Sequence, residues 1–187
     1  AATEAELFAT TAQEALGVVH GLSSEIAPLL LSSVTNSSAT SQLAVANDSR
    51  QRMEGAMSAL NTQVAGRYAF AGVTTDARPL VDASVVINEL LTATAGAPDA
   101  ATFLATVDAW FDAPAGGGGY LDLAYNGSDT PLAPFNIGPD ETAQSTITAA
   151  DDPIRDTIKG LALGALLAEN IFSGDVAERA IVAEAAG

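Results

Sequence analysis

The stretch SQLAVANDSRQRMEGAMSALNTQV, residues 41–64, carries side chains at alternating steps of three and four residues that form one stripe of an α-helix. The segment before it, from Ala1 to about Ser33, repeats the pattern, and Pro28 is expected to bend or end its helix. A polar link at residues 36–38 joins the two, which predicts an antiparallel helical hairpin. The predicted packing positions are Phe8, Ala12, Ala15, Val19, Leu22, Ile26 and Leu29 in the first segment, and Leu43, Ala46, Arg50, Met53, Met57, Leu60 and Val64 in the second. Arg50 is expected at the rim of the stripe, with its stem packed and its charge in water.

A third helical segment begins at Asp151-Asp152-Pro153, where an acidic cap precedes a proline in the first turn. Ile154, Ile158 and Leu161 continue it as a further packing stripe. Helical character resumes over residues 176–186 after a Ser-Gly-Asp interruption. Since the chain begins and ends in helical segments, we expect a mainly α protein, built as an elongated helical bundle or rod.

The segment GRYAFAG, residues 66–72, interrupts the helical pattern after the second stripe. Gly66 is expected to end the helix as a C-cap glycine. The alternation of aromatic residues and alanines that follows predicts a short strand over residues 67–72, with the alanines on the less packed face. Packing against the bundle explains the aromatic residues but leaves Arg67 without a role.

Charge divides the chain, because no lysine or arginine lies between Arg78 and Arg155. We interpret residues 79–149 as an inserted acidic outer domain, small and α+β or β-rich, and residues 1–78 plus 150–187 as the helical rod domain. The expected elements of the insertion are helices over residues 82–95 and 98–112, strands over 120–125, 135–137 and 145–148, a hinge or loop at 116–119, and a hairpin turn at Asn126-Gly127.

Composition excludes several classes of function. The 187 residues include 23 Asp and Glu against 7 Lys and Arg, for a net charge of −16, so we expect neither a nucleic-acid partner nor a membrane surface. The longest apolar run, residues 160–168, is far shorter than the roughly 20 residues of a membrane span. The absence of cysteine removes disulfides and thiolate chemistry. We expect a folded chain, because its mean hydropathy is +0.25.

Catalytic and metal-binding patterns are weak throughout. His20 is the single histidine, and we expect it to be a partly exposed helix residue rather than a base or a ligand. The glycines of residues 116–119 lack the lysine and the following helix of a phosphate-binding loop. A Ca²⁺ loop starting at Asn126 is short of side-chain oxygens after Asp129. No enzyme activity, cofactor, catalytic residue or metal ligand is therefore predicted.

Four features follow one another along the chain: the second helical stripe, the run Gly66, Arg67, Tyr68, Ala69, Phe70, Ala71 and Gly72, the segment Phe135-Asn136-Ile137-Gly138, and Asp151-Asp152-Pro153. Taken together, they resemble the flagellin superfamily. The similarity is greatest to its hook-associated members at the hook–filament junction. Only residues 66–72 are specific by themselves, and Ala69 stands where that motif usually has a bulkier aliphatic residue.

The resemblance implies a structural subunit that joins a hook-associated protein on the hook side to flagellin on the filament side. It also implies an extracellular location after type III export, an export chaperone, ring formation by the full-length protein, and a fragment that lacks both terminal coiled-coil segments. Two alternatives remain open: a divergent flagellin that forms the filament itself, and a secreted acidic Ca²⁺-binding or enzymatic module.

Overall fold

The computed structural model describes residues 2–36, 38–136 and 142–187, and within them the chain is mainly helical, as predicted. Two short antiparallel strand pairs accompany the helices. The helices are α1 (Ala2–Ser23), α2 (Ile26–Asn36), α3 (Ala39–Leu60), α4 (Ala83–Thr94), α5 (Ala100–Asp112), the one-turn α6 (Tyr120–Leu123), α7 (Asp152–Leu166), which a 3₁₀ turn (Leu167–Glu169) continues, and α8 (Val176–Ala185). The strands are β1 (Gln63–Val64), β2 (Arg67–Tyr68), β3 (Phe135–Asn136) and β4 (Thr142–Ala143).

The first three helices form the predicted antiparallel hairpin. At one end, Gln42 near the start of α3 donates to the carbonyl of Val34 at 3.4 Å. Farther along, Arg52 of α3 donates to the carbonyl of Leu22 at 3.2 Å, at the end of α1. Sequence positions rise on one arm as they fall on the other, so α1 and α2 together run antiparallel to α3.

The first arm breaks earlier than the proline predicts. Residues 24–25 form a turn between α1 and α2, and Pro28 lies within the first turn of α2, where its missing N–H has no helical acceptor to lose. The break changes the phase of the packing stripe, so Leu30 is buried and Leu29 is exposed. The prediction that Leu29 packs in the core is therefore wrong.

The centre of the core lies where α3 packs along α7. The buried hydroxyl of Ser49 donates to the carbonyl of Leu161 at 2.9 Å, across the two helices. Leu43 is wrongly predicted as a core residue: it is 48% exposed, and burial along α3 starts at Ala46. Leu22 is half-buried, and so is Arg50, whose guanidinium pairs with Glu169. The remaining predicted stripe positions are buried: Phe8, Ala12, Ala15, Val19, Ile26, Ala46, Met53, Met57, Leu60, Val64, Ile154, Ile158 and Leu161.

The helices of residues 79–149 pack into the same hydrophobic core as the hairpin. Helix α4 contacts α3 and α7, and α5 contacts α7 and α8. Both helices lie close to their predicted bounds. The sequence predicts that α5 starts at Pro98, but it starts at Ala100, and Asp99 is its N-cap. The described residues therefore form one continuous core. The separate outer domain stays a prediction.

Of the three strands predicted in this region, those at 120–125 and 145–148 are wrong, and so is the hairpin turn at Asn126-Gly127. Residues 120–125 begin with the one-turn helix α6 rather than a strand, and Asn126-Gly127 follows an isolated bridge between Leu80 and Tyr125 instead of joining two strands. Residues 145–148 are irregular. The strand at 135–137 is present as β3, while Ile137 and the following Gly138 lie outside the described residues.

Candidate functional site

The predicted motif at residues 66–72 begins in a tight β-hairpin. Gln63 pairs with Tyr68 and Val64 with Arg67, which leaves Ala65 and Gly66 as a two-residue loop. Both loop residues have positive φ, 51° and 78°, as the twist-matched hairpin turns require. Helix α3 has already ended at Leu60, so the prediction that Gly66 is its C-cap is wrong. A glycine after an apolar helix signals either a cap or a turn, and only the strand pairing distinguishes them.

Beyond the hairpin, the chain turns into the core instead of continuing as a strand. The strand ends at Tyr68, and Ala69, Phe70 and Ala71 are all buried. The predicted alternation of a packed and a less packed face is therefore wrong. The carbonyl of Phe70 accepts from the Ala149 N–H at 2.9 Å, just before α7. Ala69 is 4% exposed and so does not lie on an open face.

Gly72 joins this motif to a distant loop. It has a φ of +61°, and a Cβ there would lie 2.5 Å from the carbonyl oxygen of Thr130 and closer still to that of Ser128. The Ser128 N–H donates to Ala71 at 2.9 Å, and the Val73 N–H donates to Thr130 at 3.0 Å. Only glycine allows this approach of two backbones. We call residues 70–73 and 124–130 together the clasp.

Arg67, which sequence analysis leaves without a role, reaches back to α1. Its guanidinium lies 3.6 Å from the carboxylate of Glu4. The ion pair joins the hairpin to the first turn of the bundle, and both side chains are partly exposed, so its contribution to stability is small.

The glycine-rich loop before α6 closes on a carboxylate of the same chain. Asp122 accepts from the N–H groups of Gly116 and Gly118, at 2.8 and 2.7 Å. These hydrogen bonds hold the pKa of Asp122 below its usual value. The amides that a phosphate would need are thus already used. The loop leads into a short helix, not the strand that was predicted.

All seven lysines and arginines have partners within the described chain. Arg155 donates to the carbonyl of Phe111 at the end of α5, and Arg179 donates to those of Leu167 and Ile171 after α7. Cations favour such helix ends, where carbonyl groups lack helical donors. Few basic groups are left to meet an external anion. The ion pairs are Arg50–Glu169, Arg52–Asp48, Arg67–Glu4, Arg78–Asp82, Arg155–Asp152, Lys159–Asp108 and Lys159–Asp156.

The first helical arm leaves large apolar side chains uncovered, on the side of α1 that also carries the exposed Glu14, a feature that sequence analysis misses. Leu7 and Val18, eleven positions apart and so on one side of α1, are 54% and 50% exposed. Leu29 and Leu31 of α2 are exposed as well. Gly17 and Gly21 have open space beside them. We call the exposed sides of α1 and α2 the first-arm face.

By length and composition alone, the helical stretch Thr3–Val34 could also cross a membrane. Its mean hydropathy reaches 1.3 over an 18-residue window, of which 22% is buried in the fold. The expectation of no membrane span counts only uninterrupted runs of apolar residues. It misses this stretch, in which a few charged residues interrupt the apolar ones. Core helices of soluble proteins and signal sequences pass the same test.

The described part of the chain contains no cluster of side chains that could hold a metal ion. In residues 2–36, 38–136 and 142–187, no group of three or more His, Asp or Glu residues could hold a metal ion. His20 is exposed in the last turn of α1, as predicted, beside a groove that also contains Asp156 and Lys159. The most prominent features of the described residues are the exposed apolar side chains of α1 and α2, the acidic exterior and the clasped hairpin.

Comparisons with protein-family models, curated proteins and solved structures found no match to this chain.

Proposed function

We propose that this protein is a structural subunit of the bacterial flagellum, the hook–filament junction protein, which joins hook-associated proteins to the flagellin filament. The observation that carries the proposal is the uncovered first-arm face. A helix that leaves Leu7 and Val18 exposed over several turns is suited to lateral packing against another helical subunit. The sequence resemblance at residues 66–72 is what suggests a flagellar assembly.

The charge distribution is consistent with a role in lateral packing. The first arm carries four glutamates and no lysine or arginine over residues 2–36. Two basic side chains from elsewhere in the fold already contact this arm: Arg67 pairs with Glu4, and Arg52 donates to the carbonyl of Leu22. A neighbour that covers the first-arm face would therefore contribute apolar side chains and basic groups of its own.

Deletion of the gene in the source bacterium tests the proposal. We expect hooks that carry no filament, with flagellin shed into the medium, as measured by electron microscopy and immunoblotting. Filaments that stay attached would refute the junction role. In complemented cells, immunogold labelling at a single band between hook and filament supports a junction protein, whereas labelling along the filament identifies a divergent flagellin.

Two matched variants test the face itself. Val18→Glu places a charge on the first-arm face, and Val85→Glu makes the same change on α4, at a side chain that is 40% exposed. Both side chains are accessible, so we expect both variants to fold. Complementation should fail with Val18→Glu and succeed with Val85→Glu. Equal behaviour of the two variants, each folded by circular dichroism, would contradict a role for this face.

A further inference from the structure

The clasp contains a reactive pair of residues, Asn126 and Gly127. They form the single Asn-Gly pair in the chain, since the other asparagines precede Ser, Asp, Thr, Glu or Ile. Asn126 is exposed, and its side-chain amide takes part in no hydrogen bond among the described residues. The Gly127 N–H likewise has no acceptor there. Neither reacting group is therefore held by a hydrogen bond among the described residues.

We propose that Asn126 is a site of spontaneous deamidation in the folded protein. The backbone nitrogen of Gly127 attacks the side-chain amide carbon of Asn126, and a C–N bond forms between them. The bond from that carbon to Nδ2 breaks, and ammonia leaves with the proton that Gly127 gives up. Water then opens the cyclic imide at one carbonyl or the other, which yields aspartate or isoaspartate.

The local backbone both permits and restrains this step. Glycine has no side chain to shield its nitrogen, and its dihedral angles are the least restricted of any residue. The neighbouring groups are fixed, because the Asn126 N–H donates to Pro79 at 2.8 Å and the Ser128 N–H to Ala71 at 2.9 Å. The Asn126–Gly127 peptide group lies between these two anchors and is itself unbonded. The attack therefore requires a local rotation of this peptide group, which the phenol of Tyr125 restrains because it packs against Gly127.

The products act on the clasp in different ways. Aspartate keeps the backbone and adds one negative charge to a chain that already has −16. Isoaspartate inserts a carbon into the main chain between the Asn126 and Ser128 N–H groups. The carbonyl acceptors of these two groups are Pro79 and Ala71, so the isoaspartyl form loosens the attachment of the 124–130 loop to both segments.

Peptide mapping by mass spectrometry tests the proposal on the folded chain, incubated at mildly alkaline pH. We expect the peptide that contains Asn126 to lose the mass of ammonia and gain that of water. More than half of this peptide should be converted before any other asparagine reacts. The free heptapeptide AYNGSDT, residues 124–130, is the reference. The rate in the protein should lie within about tenfold of it, a restraint of under about 1.4 kcal/mol in the barrier.

Two variants identify the reacting side chain. Asn126→Gln lengthens the side chain and should abolish the mass change and the release of ammonia, while Asn88→Gln on α4 should leave both unchanged. Faster reaction at another asparagine would overturn the proposal. A rate in the folded protein far below that of the heptapeptide would also overturn it, because the clasp would then be shown to protect Asn126.

Discussion

Gly164 lies at the closest approach of α7 to the helical hairpin, and its replacement by alanine tests how the core is packed. A Cβ at this position would lie 2.7 Å from Leu30 Cδ1 and 2.9 Å from Ser49 Cβ, and would overlap Ser49 Oγ. That hydroxyl is buried and bonded to Leu161, so it cannot move aside without losing its hydrogen bond. Glycine at 164 is therefore what allows the two helices to touch.

Three effects set the size of the change. Overpacking of a core costs about 1–3 kcal/mol, and loss of the Ser49 hydrogen bond costs about 1 kcal/mol. Alanine regains about 1 kcal/mol of helix propensity over glycine. We expect Gly164→Ala to lower the free energy of unfolding by about 2 kcal/mol, which for a chain of this size lowers Tm by about 4–8 °C.

Gly17→Ala is the matched control, because it is the same change in a helix with nothing within 4 Å of the new Cβ. We expect it to raise the free energy of unfolding by up to about 1 kcal/mol. Urea unfolding followed by far-UV circular dichroism measures both variants. If Gly164→Ala is as stable as the unmodified chain or more stable, the close packing of α7 on Ser49 is refuted.

A double-mutant cycle locates the clash. Ser49→Ala removes the overlapping hydroxyl, so Ser49→Ala with Gly164→Ala should be more stable than the sum of the two single changes predicts, by about 1–2 kcal/mol. Additive effects would show that Leu30, and not Ser49, limits the space.

Three further predictions address the clasp, the glycine loop and the core. Gly72→Ala should lower the free energy of unfolding much more than Gly66→Ala in urea titrations. Both glycines have positive φ, which costs about 1–2 kcal/mol once a side chain is present, but of the two only Gly72 lies against backbone oxygens. Equal losses of stability in the two variants would contradict the close packing of the clasp. The pKa of Asp122 is lowered from 3.8, so its stabilising effect is present above that pH and is lost as the pH falls through the folded-state pKa. The urea midpoint of the unmodified chain should therefore fall more steeply below about pH 4 than that of Asp122→Asn. Tyr120→Phe removes the buried hydroxyl that donates to Ala149 at 2.8 Å, and should cost about 1 kcal/mol in the same assay, whereas an unchanged midpoint would argue against that bond.

Tyr120 and Tyr125 also show how far burial alters an ionisable group near the clasp. Burial raises the pKa of Tyr120 far above its ordinary value and that of Tyr125 to about 12. Both hydroxyls act as donors, Tyr120 to Ala149 and Tyr125 to Ser128. The neutral phenol of Tyr120 therefore fastens α6 to the segment just before α7, and that of Tyr125 closes the 124–130 loop on itself.

Much of the helical architecture follows from local signals. The three-and-four spacing of residues 41–64 predicts α3, and the cap and proline at Asp151 and Pro153 predict the start of α7. These signals succeed because helix periodicity and capping depend on residues within one or two turns. Residues 120–125 mislead for the same reason: a short apolar run suits a strand or a buried helical turn equally well.

The candidate site shows where local signals stop. Sequence analysis finds the specific run at 66–72 but assigns Gly66 to a helix end, because hydrogen-bonded pairing with β1 is not visible in the run itself. It also places Ala69 on an open face, although Ala149 and the loop at Ser128 approach that segment from far along the chain.

The sequence by itself determined the helical class, most of the core stripes, the strongly acidic charge and the absence of cysteine. Only the tertiary structure decided that α4 and α5 share the core of the hairpin, that Leu29 and Leu43 lie outside it, and that the basic side chains are held within the fold. The physical reason is that a periodic pattern gives each helix an apolar side, whereas the burial of that side depends on which other helix packs against it. No described element covers the exposed sides of α1 and α2.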